Sequence, residues 1–178
     1  MKRETINPSS KSLFWKMLKS EMIQRSFNRT AVWNLPKRNW LLRRWLGSID
    51  GNPYLVQIPF HVSLGCNIHV GKNFFANCNC VLMDYAPITI GDNVLLAPNV
   101  TITTVNHSLD PEQRRVFDTK DSFHPGKKGN WENIAPVTIG DLTELLLDRS
   151  AHLVGEGLQL RALLVAQAIY RWRINLIA

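Results

Sequence analysis

The sequence lacks any uninterrupted apolar run of the roughly 18 residues that a helix needs to cross a bilayer. Its first residues, Met1 to Glu4, lack the apolar stretch of a signal peptide. Cysteine is scarce and odd in number, and Cys78 and Cys80 lie too close together for an ordinary structural disulfide with each other, while Cys66 stands alone. These absences disfavour a membrane-spanning chain and a disulfide-stapled secreted domain, and they predict a soluble protein of the reducing cytoplasm.

Acidic residues are scarce in the first 50 positions, which hold 11 Lys and Arg against 3 Asp and Glu. The rest of the chain holds 10 against 11, so the formal net charge of +7 belongs to the N-terminal segment. One interpretation is a basic surface for nucleic acid or anionic lipid. A solvated basic face over an apolar stripe that packs on the next region is commoner. We therefore expect neither nucleic acid nor a membrane as a partner.

Apolar residues recur every three or four positions between Lys11 and Trp45, a spacing that predicts amphipathic helix. The pattern is interrupted around Asn34-Leu35-Pro36, where the proline ends or restarts a helix. The sequence therefore predicts a helical N-terminal segment with a break near Pro36.

Asparagine recurs at a six-residue period in the middle of the chain, at positions 67, 73 and 79 and again at 93 and 99. The gap of 14 between the two groups equals two sixes plus an insertion of two. An aliphatic series runs in phase with it, at Val70, Ala76, Leu82, Ile90, Leu96 and Ile102. A period of six fits neither a helix nor a strand alone, and it is typical of a coil built from three short strands and three corners. A sandwich with Asn-rich turns is the alternative, but its turns are not expected to recur at six.

An internal repeat supports the coil, because Ala86-Pro87-Ile88-Thr89-Ile90-Gly91-Asp92 returns as Ala135-Pro136-Val137-Thr138-Ile139-Gly140-Asp141. Between the two copies, residues 105–134 have no six-residue period and are rich in charge, Pro and Gly. Such a stretch is too long for an ordinary connection, so we interpret it as a functional excursion from the coil.

Three runs of the sequence together carry a resemblance to a known family. They are Gly65-Cys66-Asn67-Ile68-His69-Val70-Gly71-Lys72-Asn73-Phe74-Phe75-Ala76-Asn77, Ile88-Thr89-Ile90-Gly91-Asp92-Asn93-Val94 and Asn106-His107-Ser108-Leu109-Asp110. Together they resemble the maltose and galactoside O-acetyltransferases. The likeness runs from about Arg43 to Asp141. The resemblance implies a mainly β fold, a left-handed parallel β-helix of hexapeptide repeats. It also implies acetyl transfer from acetyl-coenzyme A to a hydroxyl of a sugar or similar small acceptor, in a homotrimer with active sites between subunits.

By the same resemblance, His107 matches the catalytic histidine, and Ser63, Asn77 and Asp84 match positions at the acceptor site. An imidazole exchanges its proton near neutral pH and can act as general base on a hydroxyl, which is otherwise a poor nucleophile. Simpler interpretations stay open for each residue. His107 can be a solvated loop histidine, Asn77 a polar corner residue, Ser63 an ordinary coil position and Asp84 a turn cap.

Zinc is the alternative chemistry for this fold, because γ-type carbonic anhydrases share the β-helix and bind zinc through three histidines. Here His61 and His69 are eight residues apart, and His107 and His124 are seventeen apart. Neither spacing matches a converging three-histidine site, so we expect no metal. The three cysteines are interpreted as small inward or corner residues.

After Asp141 the further coils expected from the resemblance do not follow. Residues 141–178 hold 10 Leu and one Asn, whereas the first 140 residues hold 12 Leu and 14 Asn. The leucine pattern predicts helix, split at Gly155-Glu156-Gly157. Two explanations stay open, namely a shifted reading frame in the gene and a genuine helical cap over the open end of the coil.

The sequence thus predicts three regions. Residues 1–50 form a basic helical segment, residues 51–141 form the β-helix with a long loop at about 105–134, and residues 142–178 form a divergent helical tail. Because the missing coils carry much of the acetyl-coenzyme A slot in the family, two functions remain. One is an O-acetyltransferase with His107 as base, and the other is a truncated, non-catalytic β-helix remnant that only binds or associates.

Overall fold

The computed structural model describes residues 4–6, 10–53, 55–107, 132–142, 144–145, 152–154 and 159–160. Its helices are α1, Lys11–Arg29, and α2, Leu35–Trp45. Its strands up to the long loop are β1 Glu4–Ile6, β2 Ser48–Ile49, β3 Leu55–Val56, β4 Phe60–Val62, β5 Ile68–Val70, β6 Phe75–Ala76, β7 Cys80–Met83, β8 Ile88–Ile90, β9 Leu95–Leu96, β10 Thr101–Thr103 and β11 Val105–Asn106. The later strands are β12 Glu132–Ile134, β13 Val137–Ile139, β14 Glu144–Leu145, β15 His152–Val154 and β16 Gln159–Leu160.

Both helices predicted from the apolar spacing are present, and the break between them falls at the proline. Asn34 caps α2, because its side-chain oxygen accepts a hydrogen bond from the Lys37 N–H at 3.3 Å, and Pro36 lies in the first turn. Ser10 caps α1 in the same way, accepting from the Leu13 N–H at 3.2 Å. No helix in the described part of the chain is both long and apolar enough to span a membrane.

The coil consists of three parallel sheets, with strand orders β2-β5-β8-β13-β16, β3-β6-β9-β14 and β4-β7-β10-β15. In the first coils, paired residues are 20 positions apart: Ile68 faces Ile88, Phe75 faces Leu95 and Val62 faces Leu82. Each coil therefore contributes one short strand to each sheet. The aliphatic six-residue series is buried between the three sheets and forms the core. The predicted coil of parallel strands is present.

The corners of the coil depend on asparagine. Four corner asparagines have φ between 56° and 60°, namely Asn73, Asn79, Asn93 and Asn99. This is the left-handed region, which Asn tolerates better than most residues. At the first corner Gly65 has the positive φ, 80°, and Asn67 instead hydrogen-bonds to Asp84. The six-residue asparagine series therefore reflects a repeated backbone requirement.

Two repeat glycines are required because the next coil packs directly on them. The Asp92 carboxylate accepts the Lys72 N–H at 2.7 Å, and the Asp141 carboxylate accepts the Asp92 N–H at 2.7 Å. A Cβ at Gly71 would overlap the Asp92 side chain, and a Cβ at Gly91 would overlap that of Asp141. This stacking explains why Ile-Gly-Asp returns at residues 139–141.

The helices pack on the start of the coil through aromatic rings and one buried arginine. The rings of Phe27, Trp45 and Phe60 lie with centroids 5.9 to 6.3 Å apart. Arg38 is buried, lies over the Phe27 ring at 4.1 Å, and donates to the Thr30 carbonyl at 2.9 Å and the Val56 carbonyl at 2.5 Å. Burial lowers the pKa of Arg38. This side chain ties both helices to β3.

The described tail residues differ from the prediction. Strands β14, β15 and β16 pair in parallel with β9, β10 and β13, so they add a further coil, and the predicted helical tail is wrong for these residues. Without the tail strands, β9, β10 and β13 would be edge strands that offer unpaired N–H and C=O groups, and the tail strands pair with them. Leucines at alternate positions, such as Leu158 and Leu160, fit a strand as well as a helix. The rest of the tail lies outside the described residues, and the shifted reading frame stays a prediction.

The coil begins slightly earlier than predicted, because β2 at Ser48–Ile49 already pairs with β5. At the long loop, β11 and β12 form an antiparallel pair, and β1 pairs with the other edge of β12. The ends of the loop are therefore held together by strands. The division into residues 1–50, 51–141 and 142–178 otherwise stays a prediction.

Candidate functional site

The corner that follows the sheet β4-β7-β10 is the longest corner in the first coil and in the coil that carries the long loop. The chain between this sheet and the next strand of sheet β5-β8-β13 covers residues 63–67, 84–87 and 104–136 in successive coils. We call the described part of these segments, up to His107, the enlarged corner. Ser63, Asp84 and His107 all lie at the enlarged corner. The two-residue insertion in the six-residue period is its sequence signal.

The Asp84 carboxylate holds the turn that begins at Ser63. Asp84 is fully buried; one of its carboxylate oxygens accepts the Leu64 N–H at 2.7 Å and the other accepts the Asn67 N–H at 3.2 Å. Burial raises the pKa of Asp84, and the backbone N–H donors partly oppose that rise. Half-buried Ser63 donates its N–H to the Leu82 carbonyl at 3.0 Å. Within one chain, these contacts match the turn-cap interpretation of Asp84.

His107 is exposed and directly follows β11, at the base of the long loop. Thr104, three residues before it, is a structural residue of this corner that was not predicted from the sequence. Buried Thr104 donates its hydroxyl to the Met83 carbonyl at 2.7 Å and accepts the Ala86 N–H at 2.9 Å, so it joins two coils at the enlarged corner. Thr104 lies 20 residues after Asp84, which lies 20 after Leu64. That 20-residue spacing is the signal that could have found it.

Asn77 lies elsewhere. It follows β6 at the corner that leads into β7, whereas His107 lies beyond the opposite end of that sheet. Asn77 is half-buried, donates its N–H to the Leu96 carbonyl at 2.9 Å, and accepts the Cys78 N–H on its side-chain oxygen at 2.8 Å. The fold of a single chain therefore does not bring Asn77 to the same corner as His107.

The remaining candidate groups are dispersed. His61 and His69 are exposed, and the His69 ring lies 2.9 Å from the Ser48 hydroxyl on the outer wall of the coil. Over the described ranges, no group of three His, Cys, Asp or Glu side chains could hold a metal ion, and His124 lies outside those ranges.

The three cysteines form no disulfide, and they differ in exposure. Cys66 is exposed, Cys78 is half-buried and Cys80 is buried. Burial raises the pKa of the Cys80 thiol to about 11, so this thiol stays protonated at neutral pH. Cys80 therefore serves as a small core residue, as the sequence predicts.

Comparison with known proteins gives several matches. No family model matches the chain. The galactoside O-acetyltransferase of Escherichia coli (strain K12) is 37% identical over 100 residues, which cover 56% of this chain and 49% of the relative. The hexapeptide-repeat containing acetyltransferase from Vibrio cholerae is 28% identical with a TM-score of 0.61, covering 76% of this chain and 68% of that one. A galactoside acetyltransferase solved in complex with coenzyme A is 27% identical with a TM-score of 0.62, covering 79% and 70%.

In fold and in sequence the chain is similar to hexapeptide-repeat acetyltransferases. Within that class, the resemblance to the maltose and galactoside O-acetyltransferases is confirmed. The chain spans about half the length of the curated relatives it matches.

Proposed function

We propose that this chain is an acetyl-coenzyme A-dependent O-acetyltransferase that acetylates a hydroxyl of a sugar or similar small acceptor, with His107 as the general base. The observation that carries the proposal is the exposed His107 at the same enlarged corner as Ser63 and Asp84. The similarity to galactoside O-acetyltransferases and to a structure with coenzyme A supports both the acceptor class and the donor.

The chemistry follows from the weak nucleophilicity of a sugar hydroxyl. His107 takes the hydroxyl proton as the acceptor oxygen attacks the thioester carbonyl of acetyl-coenzyme A. The carbon–sulfur bond then breaks, the acetyl ester forms, and the coenzyme A thiolate receives the proton from the imidazolium. General-base catalysis of this kind contributes about 10²- to 10⁴-fold to the rate. In this scheme Ser63 and Asn77 bind the acceptor by hydrogen bonds.

We further propose a homotrimer and a left-handed coil, as the resemblance implies. The positions of Asn77 and His107 support an assembly, because they lie beyond opposite ends of the strands in the sheet β4-β7-β10. They can share one acceptor only if neighbouring copies face each other across this sheet. Asp84 then acts through the Ser63 turn that it holds, rather than by touching the acceptor.

We place the reaction in the cytoplasm, where the three free thiols would stay reduced. No metal enters the scheme, since the base and the thioester supply the chemistry and the histidine spacings do not match a zinc site.

The test is acetyl-coenzyme A-dependent transfer to simple glycosides, measured as released coenzyme A thiol and as acetylated glycoside. His107→Ala is expected to lower the rate about 10²- to 10⁴-fold. His69→Ala is the matched control, because His69 is also exposed but lies on another sheet, and its rate should equal that of wild type. The non-catalytic alternative predicts the same background rate for wild type and both variants, and that result would remove the enzyme proposal.

A further inference from the structure

Helix α1 has two apolar faces, and only one of them packs on the coil. Leu13, Ser20 and Phe27, spaced by seven, are buried on the inner face. The opposite side carries large apolar side chains that are 41% to 67% exposed, at Phe14, Trp15, Leu18 and Met22. The spacing of three and four from residue 15 to 18 to 22 sets these side chains on one stripe of the helix. We call this stripe the outer face.

The apolar surface continues beyond α1. Trp33 is 85% exposed, and Leu35 and Trp40 in α2 are 47% and 56% exposed. Among the described residues, eight of the ten large apolar side chains that are exposed lie between positions 14 and 40; the other two are Leu95 and Leu142. Scattered apolar surface residues need no explanation, but such a concentration marks an interaction site.

The charge around this surface has one sign. Residues 10–45 carry eight exposed Lys and Arg side chains: Lys11, Lys16, Lys19, Arg25, Arg29, Lys37, Arg43 and Arg44. The single acidic residue of that range, Glu21, is already paired with Arg25 at 2.8 Å. Arg44 lies over the exposed Trp40 ring at 5.1 Å. A partner that binds this surface must therefore accept both apolar side chains and positive charge.

We propose that the outer face and the exposed tryptophans of residues 33–40 bind the surface of an anionic lipid bilayer. Trp and Phe suit the boundary between headgroups and acyl chains, and flanking Lys and Arg are attracted to anionic headgroups. The cytoplasmic leaflet of a cell membrane has that negative surface. The inner face alone is the apolar stripe that was expected to pack inward, and none of the described residues packs over the outer face.

Two other occupants fit less well. A second copy of this chain would bring two strongly basic segments together, and like charges across an interface disfavour association. A nucleic acid would contact the cations and stack on the tryptophans, but its phosphate backbone offers nothing to Leu18 and Met22. Lipid binding here needs no acetyl transfer, so this inference stands apart from the proposed function.

The experiment is flotation of the full chain with vesicles of phosphatidylcholine alone and of equal parts phosphatidylcholine and phosphatidylserine. Binding is expected only to the anionic vesicles, and it should weaken as salt is added. The variant Trp15→Ser/Met22→Ser should lose about tenfold or more in partitioning per side chain removed. Lys19→Gln/Arg29→Gln should lose about fivefold per neutralised side chain.

The controls separate lipid binding from misfolding and from catalysis. Leu142→Asn removes an exposed apolar side chain outside the helices, and His107→Ala removes the proposed base; both should bind vesicles like wild type. Circular dichroism should show the same helix content in both double variants as in wild type, because all four substituted side chains are exposed.

Three results would overturn the proposal. They are equal binding to neutral and anionic vesicles, tighter binding to a short DNA duplex than to anionic vesicles, and self-association of wild type that Trp15→Ser/Met22→Ser abolishes. Failure of all variants and wild type to float with any vesicle would overturn it as well.

Discussion

Replacing Leu142 by asparagine is expected to stabilise the protein. In Gly71-Lys72-Asn73 and Gly91-Asp92-Asn93 the corner residue is asparagine, whereas Gly140-Asp141-Leu142 ends in leucine. The backbone is nevertheless the same, because Leu142 has φ 55° against 57° for Asn73 and 56° for Asn93. A leucine is therefore held in a conformation that its Cβ disfavours, at the first position after the repeat ends.

The size of the effect follows from three observations. The left-handed conformation costs most L-residues about 1–2 kcal/mol, and asparagine less. The Leu142 side chain is 77% exposed, so removing it loses little buried apolar surface. Asn73 donates to the Asn93 side chain at 2.9 Å, and an asparagine at 142 could extend this ladder by one hydrogen bond. We expect a gain of about 1–2 kcal/mol and a rise in Tm of about 2–4 °C per kcal/mol for a chain of this size.

The assay is urea and thermal unfolding of Leu142→Asn beside two companions. Alanine has no polar side chain that can hydrogen-bond locally in the left-handed region, so Leu142→Ala should gain little. Asn93→Leu makes the reverse change one coil earlier, and it should lose at least as much as Leu142→Asn gains. If Leu142→Asn is no more stable than Leu142→Ala, backbone strain at this corner does not limit stability and the reasoning is refuted.

Two further predictions concern buried polar groups. Asp84→Asn should cost about 1–3 kcal/mol, because an amide can accept only one of the two N–H groups, from Leu64 and Asn67, that the carboxylate accepts. Burial raises the folded pKa of Asp84 above its unfolded value of about 3.9, so its ionisation linkage favours folding most at low pH and declines as pH rises through the folded pKa. The stability advantage of wild type over Asp84→Asn, measured by urea unfolding at stepped pH, should shrink over that window; an advantage that grows would contradict this sign. Arg38→Met should lower the free energy of unfolding in urea by about 3–5 kcal/mol, because the buried carbonyls that accept hydrogen bonds from the guanidinium lose their donor. Arg44→Met loses only an exposed contact with a ring and should cost about 1 kcal/mol or less. Equal losses would show that burial of the guanidinium does not matter.

The coil could be predicted from sequence because its determinants are local and repeated. A corner that needs a left-handed residue selects asparagine at every pass, as at Asn73 and Asn93, and an inward position selects an aliphatic residue. The insertion of two residues falls between Asn79 and Asn93, in the stretch that contains Asp84. Thr104 was missed because its role is a contact between coils, which the residue type does not reveal and only the 20-residue spacing indicates.

The described residues of the tail were mispredicted for the opposite reason. Leucine-rich sequence is compatible with helix or strand, and the choice at residues 152–154 and 159–160 follows from pairing with β10 and β13. Sheet edges formed by distant residues decide such segments, since β preference depends on the neighbours a strand finds. The amino-acid composition of the tail does not reveal the strands β10 and β13 with which it pairs.

The sequence by itself determined the repeating parts of this protein: the coil, the helical N-terminal segment and the residues that resemble those of an acetyltransferase site. Only the tertiary structure decided which of those residues meet, because contacts between coils join positions 20 residues apart. It placed Asn77 away from His107, buried the Asp84 carboxylate under the Ser63 turn, and left the outer face of α1 exposed. Periodicity records which side of an element is apolar, but burial depends on what packs against that side, and this is a property of the folded chain.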